Sequence, residues 1–100
     1  MDRSRVCWLV GKSYGQNAAG EWVAAETRKK VFVNVRSASA AEWFEGGRSG
    51  LNPACTVTMF RVDYEGETVL ELDGVRYQVY RTYETRNDLI ELHVQREAGA

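Results

Sequence analysis

The side chains able to do chemistry are few and scattered. His93 is the single histidine. It lies between Glu91 and Gln95, on the phase of its strand opposite to apolar Leu92 and Val94. A general base needs an orienting partner and a pocket, and this pattern predicts a surface histidine instead. Cys7 and Cys55 are the only cysteines, 48 positions apart, with no C-x-x-C motif. With one histidine they do not complete a four-ligand zinc set. They read as reduced, small core residues of a cytosolic protein. Ser37, Ser39 and Ser49 lie near glycines, but Gly47-Arg48-Ser49-Gly50 lacks the G-x-S-x-G spacing. Gly11-Lys12-Ser13 looks like the end of a phosphate-binding loop, yet Val6 stands where the first glycine is required. Asp63, Glu65 and Glu67 alternate with Tyr64 and Gly66 without the EF-hand pattern, and read as an acidic hairpin turn. No nucleophile pairs with a base, so neither catalysis nor a metal or cofactor is expected.

One constellation suggests binding. Tyr77, Tyr80 and Tyr83 interleave with Arg76, Arg81 and Arg86, as in barrels that stack single-stranded nucleic acid on aromatic rings. This gives an alternative reading, an OB-like barrel for single strands. Against it, neighbouring Glu84 and Glu91 cancel the positive field such a groove needs. Half of the tyrosines are then expected to line the core.

The chain has 100 residues, enough for one domain over 1–100. Apolar residues make up 44% and charged residues 27%, ordinary for a soluble globular domain. Thirteen basic and fourteen acidic residues leave a formal net charge of -1. That balance argues against tight, non-specific binding to nucleic acid. No apolar run approaches the roughly 20 residues of a membrane span, and residues 1–10 do not read as a signal peptide.

The elements follow from periodicity. Val6, Trp8 and Val10 alternate with Cys7 and Leu9 in a first strand. Residues 11–20 read as a mobile loop or long hairpin connection. Residues 21–26 are ambiguous between strand and helical turn, and Thr27-Arg28-Lys29-Lys30 reads as a charged strand lead-in. Val31, Val33 and Val35 then share one face. Ser39 with Glu42 fits a capping box. Ala40, Trp43, Phe44 and Gly47 follow at helical spacing, with Gly46-Gly47 expected to stop the helix. The helix is expected over 40–45. Cys55, Val57 and Met59 form a further inward phase. Asp63-Tyr64-Glu65-Gly66-Glu67 supplies a turn, and Asp73-Gly74 is a strong two-residue hairpin signal. Val75, Tyr77 and Val79 return, Thr85-Arg86-Asn87-Asp88 turns, and Ile90, Leu92 and Val94 form the last inward face. Residues 97–100 should fray. Short strands about ten residues apart predict a mainly β domain, a small antiparallel barrel of five to seven strands with one short helix in a long connection. Val33, Val35, Val57, Met59, Tyr77, Val79, Ile90, Leu92 and Val94 are expected to face its core.

Read in order, these pieces resemble the head-closure proteins of long-tailed bacteriophages, also called stopper or head–tail adaptor proteins. The matching motifs are Phe32-Val33-Asn34-Val35-Arg36-Ser37, Gly47-Arg48-Ser49-Gly50-Leu51-Asn52-Pro53 and Asp63-Tyr64-Glu65-Gly66-Glu67. Gly74-Val75-Arg76-Tyr77, Tyr80-Arg81-Thr82-Tyr83 and Ile90-Glu91-Leu92 complete the series over residues 30–97. The resemblance implies a structural, non-enzymatic barrel whose copies form a ring in the virion neck, assembled from the host cytoplasm. That ring would lie below the portal and adaptor rings and above the tail. It would hold back packaged double-stranded DNA and dock a tail or tail-completion protein. It also implies that the connection over 37–53 projects into the ring's channel. Some seventeen residues are long for a connection in a compact domain. Within it Trp43, Phe44, Arg48 and Leu51 are the expected assembly contacts, aromatics being favoured interface anchors.

Overall fold

A computed structural model describes residues 5–48, 50 and 53–96, with backbone alone at 42 and 46. Six strands are present: β1 (Arg5–Gln16), β2 (Trp22–Ser37), β3 (Pro53–Phe60), β4 (Val69–Leu72), β5 (Val75–Glu84) and β6 (Leu89–Arg96). One helix, α1 (Ala40–Arg48), lies between β2 and β3, and a 3-10 turn (Arg61–Asp63) follows β3. Every strand pairing is antiparallel, and the order β1-β2-β3-β6-β5-β4 closes on itself as a barrel. The wall is thus two meanders, β1-β2-β3 and β4-β5-β6, joined along the β3–β6 and β1–β4 seams.

Alternation fills the barrel. Cys7, Leu9, Val31, Val33, Val57, Met59, Leu70, Leu72, Ile90, Leu92 and Val94 are each at most 4% exposed and form one cluster. Six of the nine expected core residues belong to it, and Val35, Tyr77 and Val79 pack against it half-buried. Cys7 is fully buried, and burial, with Glu67 adding to it, pushes its thiol from 9.0 up to about 12. Cys55 packs at the edge of the cluster, and its thiol is also raised by burial.

The turns carry the chemistry their geometry requires. Asp73 and Gly74 both have positive φ, 54° and 79°, as a type I′ hairpin demands. At the β5–β6 turn, Asn87 and Asp88 take φ of 65° and 58°, a region these two residue types tolerate. The Thr85 N–H donates to the Leu89 carbonyl at 2.9 Å and closes that turn.

Four local expectations change. Residues 11–16 are not a loop but the far half of β1, and the ambiguous 21–26 segment belongs to β2. The turn between them is tied by Asn17, whose Oδ1 accepts from the Ala19 and Glu21 N–H groups at 2.9 and 3.0 Å. The helix does not stop at Gly46-Gly47; it runs to Arg48, and Gly50 at φ 77° donates back to the Gly47 carbonyl at 3.2 Å. Residues 63–67 are not a hairpin turn, because β3 pairs with β6 and β4 with β1, so this segment crosses the barrel end. The Glu67 carboxylate accepts the Glu65 N–H at 2.6 Å there and faces Lys29 at 3.7 Å. The frayed tail expected at 97–100 lies outside the described residues, as does the capping contribution of the Glu42 side chain. The Ser39 carbonyl accepts the Trp43 N–H at 2.9 Å, which opens the helix.

Leu92→Ala should cost about 2–5 kcal/mol by urea unfolding, since it empties a site with no exposure. Thiol titration at pH 8 should find Cys7 unreactive in the native protein and reactive in denaturant. Between pH 9 and 12 only the unfolded Cys7 loses its proton readily, so its contribution to stability falls as pH rises through that window.

Candidate assembly surfaces

Two parts of the chain stand outside the barrel. The first is α1. Its described side chains are all exposed, including Trp43 at 55% and Phe44 at 66%. The two rings meet edge to face, centroids 5.7 Å apart at 83°. A nine-residue helix containing two glycines is marginal by itself. What holds it is its base, where the Ala38 N–H donates to the Ala54 carbonyl at 3.3 Å and Pro53 is buried as β3 begins. Arg48 is exposed and lies 3.6 Å from Glu45 one turn earlier, a surface pair of small energetic weight. The structure therefore places Trp43, Phe44 and Arg48 on one short, uncovered helix. Leu51, the fourth expected contact, lies outside the described residues.

The second part is a two-stranded arm. β1 and β2 pair without interruption from Arg5↔Val33 to Gln16↔Trp22. Among the described residues, β1 meets β4 only over 8–10, and β2 meets β3 only over 34–37. Beyond Gly11 the hairpin projects about 20 Å, at roughly 3.3 Å per residue. This explains a longest dimension of 52 Å and a radius of gyration of 15.1 Å, where about 13 Å is usual for this length. Tyr14 at 70% and Trp22 at 72% exposure stand on the arm. The sequence reading missed them. The available signal was the weak apolar phase over 11–27, where Ser13, Gly15, Val23, Ala25 and Thr27 occupy the phase that is inward lower down.

Ion pairs fix the root of the arm. Arg76 Nη2 donates to Glu26 Oε1 at 2.9 Å and holds the Glu26 carboxyl below its usual range, first by that hydrogen bond and then by charge. Arg28 pairs with Glu71 and lies 5.1 Å over the Trp8 ring. Lys29 stands 3.7 Å from both Glu65 and Glu67. The basic run at 28–30 is thus largely engaged within the molecule.

His93 is not on the surface. It is 5% exposed, although Leu92 and Val94 do point inward as expected. It lies between fully buried Thr56 on β3 and a bulge in β5. Val79 pairs with Val94 and Arg81 with His93, so Tyr80 is the extra residue, and its ring lies 6.4 Å from the imidazole. The Thr56 hydroxyl is 3.5 Å from Nδ1, and Glu91 Oε1 is 3.6 Å from Nε2 and 3.7 Å from Arg36. The other candidate rings do not align. Tyr77 packs on the core, Tyr80 covers His93, and Tyr83 is 60% exposed. Among the described residues, no three His, Cys, Asp or Glu side chains gather as a metal group. No protein-family model matches this sequence, and no curated protein matches it.

The arm's root should loosen in acid. Glu26 has a lowered carboxyl, so its tie to Arg76 is complete above the ordinary value of 4.5 and is lost as pH falls below it. Amide exchange in residues 24–28, corrected for intrinsic rates, should speed up between pH 6 and pH 3. Glu26→Gln should remove most of that difference; an unchanged pH profile would show that the pair does not hold the arm.

Proposed function

We propose that this protein is a structural subunit of a bacteriophage neck, a head-closure protein that works as a ring between the portal-adaptor ring and the tail. The observation that carries the reading is the uncovered α1. Strands β2 and β3 are antiparallel neighbours, and such neighbours need only a short turn. Here they are joined instead by residues 38–52, bearing a helix whose described side chains are all exposed. An apolar edge-to-face pair held in water has no return inside the monomer, and aromatic anchors of this kind are typical of interface centres. The order of sequence motifs along a closed barrel supports the same reading.

On this reading α1 turns toward the ring's channel or a neighbouring subunit. The partners are further copies of this chain, the adaptor ring above, and a tail or tail-completion protein below. Double-stranded DNA is held back or let through by the ring. A net charge of -1 suits that role, since it lets DNA pass without being gripped. The protein acts in the virion neck, after assembly from the host cytoplasm, as a structural component without catalysis or cofactor.

Replacing both Trp43 and Phe44 by Ala tests this. Both are more than half exposed, so monomer stability should move by no more than about 0.5 kcal/mol. Particles assembled with the variant should fail to become DNA-filled, tail-competent heads. Normal particle yield would remove the proposed role of α1. A large fall in melting temperature would show that the rings serve the fold.

A further inference from the structure

We propose that the projecting arm is a docking edge for a second copy of this chain, the β1 edge of one arm pairing with the β2 edge of the next. The inference deepens the ring reading and rests on it for the rotation that closes the assembly.

Three observations carry it. First, among the described residues, β1 beyond position 11 and β2 before position 34 are laddered only to each other. Each therefore presents a row of backbone N–H and C=O groups on its outer side. Long uncovered edges of this kind are templates for another strand. Natural monomers guard such edges with charges, but the strand positions in the outer half of this arm carry none, the one charge there being Glu21 in the turn. Residues 13–16 are Ser, Tyr, Gly and Gln, and residues 22–25 are Trp, Val, Ala and Ala. The charges at the root, Glu26, Arg28 and Lys29, are directed to the barrel.

Second, the two edges run in opposite directions because the arm is an antiparallel hairpin. Two arms lying side by side and pointing the same way place β1 of one against β2 of the other, antiparallel. The up-and-down order then continues from copy to copy. Such a contact joins different surfaces on the two partners, and a head-to-tail contact of this type makes rings when its rotation closes.

Third, the side chains suit that arrangement. Lys12 lies across from Glu26 within the arm, Tyr14 across from Ala24, and Gly15 across from Val23. At equal height, the next copy's arm repeats these pairings between subunits. Lys12 of one copy meets Glu26 of its neighbour, which also bonds Arg76 within its own copy; Tyr14 meets Ala24, Val23 meets Gly15, and Trp22 lies across from Gln16. Exposed Tyr14 and Trp22 become partly covered.

The test uses two full-length variants, Ser13→Cys and Ala25→Cys, mixed under mild oxidation in concentrated solution. Adjacent strands bring Cα atoms to about 4.5–5.5 Å, within disulfide reach. Both sites are exposed, so folding is unaffected, and buried Cys7 is a poor competitor. The mixed Ser13→Cys to Ala25→Cys dimer should be the main product, formed well above the rate in denaturant. Adding Lys12→Gln to the first variant should slow it about two- to fivefold, the range of an exposed ion pair. Dominant self-linking of Ala25→Cys would overturn the proposal in favour of a two-fold contact. Linking no faster than in denaturant would overturn it outright. Rapid mixed linking together with normal particles from the Trp43 and Phe44 double variant would keep the edge contact and remove the role proposed for α1.

Discussion

Closing the barrel with strands of very unequal length is the constraint on which the rest of the molecule depends. A closed sheet fixes how far each strand can run in register with its neighbours. β4 is four residues long, and its seam with β1 takes only positions 8–10. β1 has twelve residues and β2 sixteen, so their outer halves have no place in the cylinder. They must leave it together as a ribbon. The core follows from the same closure, since the inward phases of all six strands converge on one cluster only when the β1–β4 and β3–β6 seams are both made.

An isolated two-stranded ribbon is marginal in water. Its continuity with the barrel supplies the register, and the root ion pairs supply a direction. Glu26–Arg76, Arg28–Glu71 and Lys29 with Glu65 and Glu67 reach from β2 to β5, β4 and the crossing segment. Each pair keeps at least one exposed partner and is individually weak. Acting at several points around its root, they bias the direction in which the arm leaves the barrel at Gly11. A side chain there would crowd the Thr27 hydroxyl, at 2.9 Å from an added Cβ.

Much of the barrel was legible in the sequence because strand alternation and turn chemistry act locally. The phases of Val31, Val33, Val57, Met59, Leu92 and Val94, and the Asp73-Gly74 turn, needed no knowledge of distant partners. What escaped depends on non-local pairing. The burial of His93 comes with a bulge at Tyr80 in the preceding strand, thirteen positions earlier, and nothing near His93 announces it. The arm has weak alternation because both its faces meet water, so its residues resemble a loop. The helix was recognisable from Ser39 and the Ala40–Trp43–Phe44 spacing, but that spacing normally implies a buried stripe. Only the packing shows that this stripe is left uncovered. Of the four expected contacts, Trp43, Phe44 and Arg48 share the surface of α1.

The arm tip and the helix sit at opposite ends of β2. Trp22 opens that strand and Ser37 closes it, and sixteen extended residues span about 53 Å, close to the molecule's longest dimension of 52 Å. One flat partner of ordinary interface size, about 800 Å² per side, does not cover both. If both surfaces are used, they meet different neighbours. A subunit in a ring between two other rings has that requirement, since it needs lateral contacts to its own copies and axial or channel-facing contacts to something else. Strand addition suits the lateral role because backbone pairing repeats identically around a ring. A helix bearing Trp43 and Phe44 suits the other, where side-chain anchors select one partner chemistry.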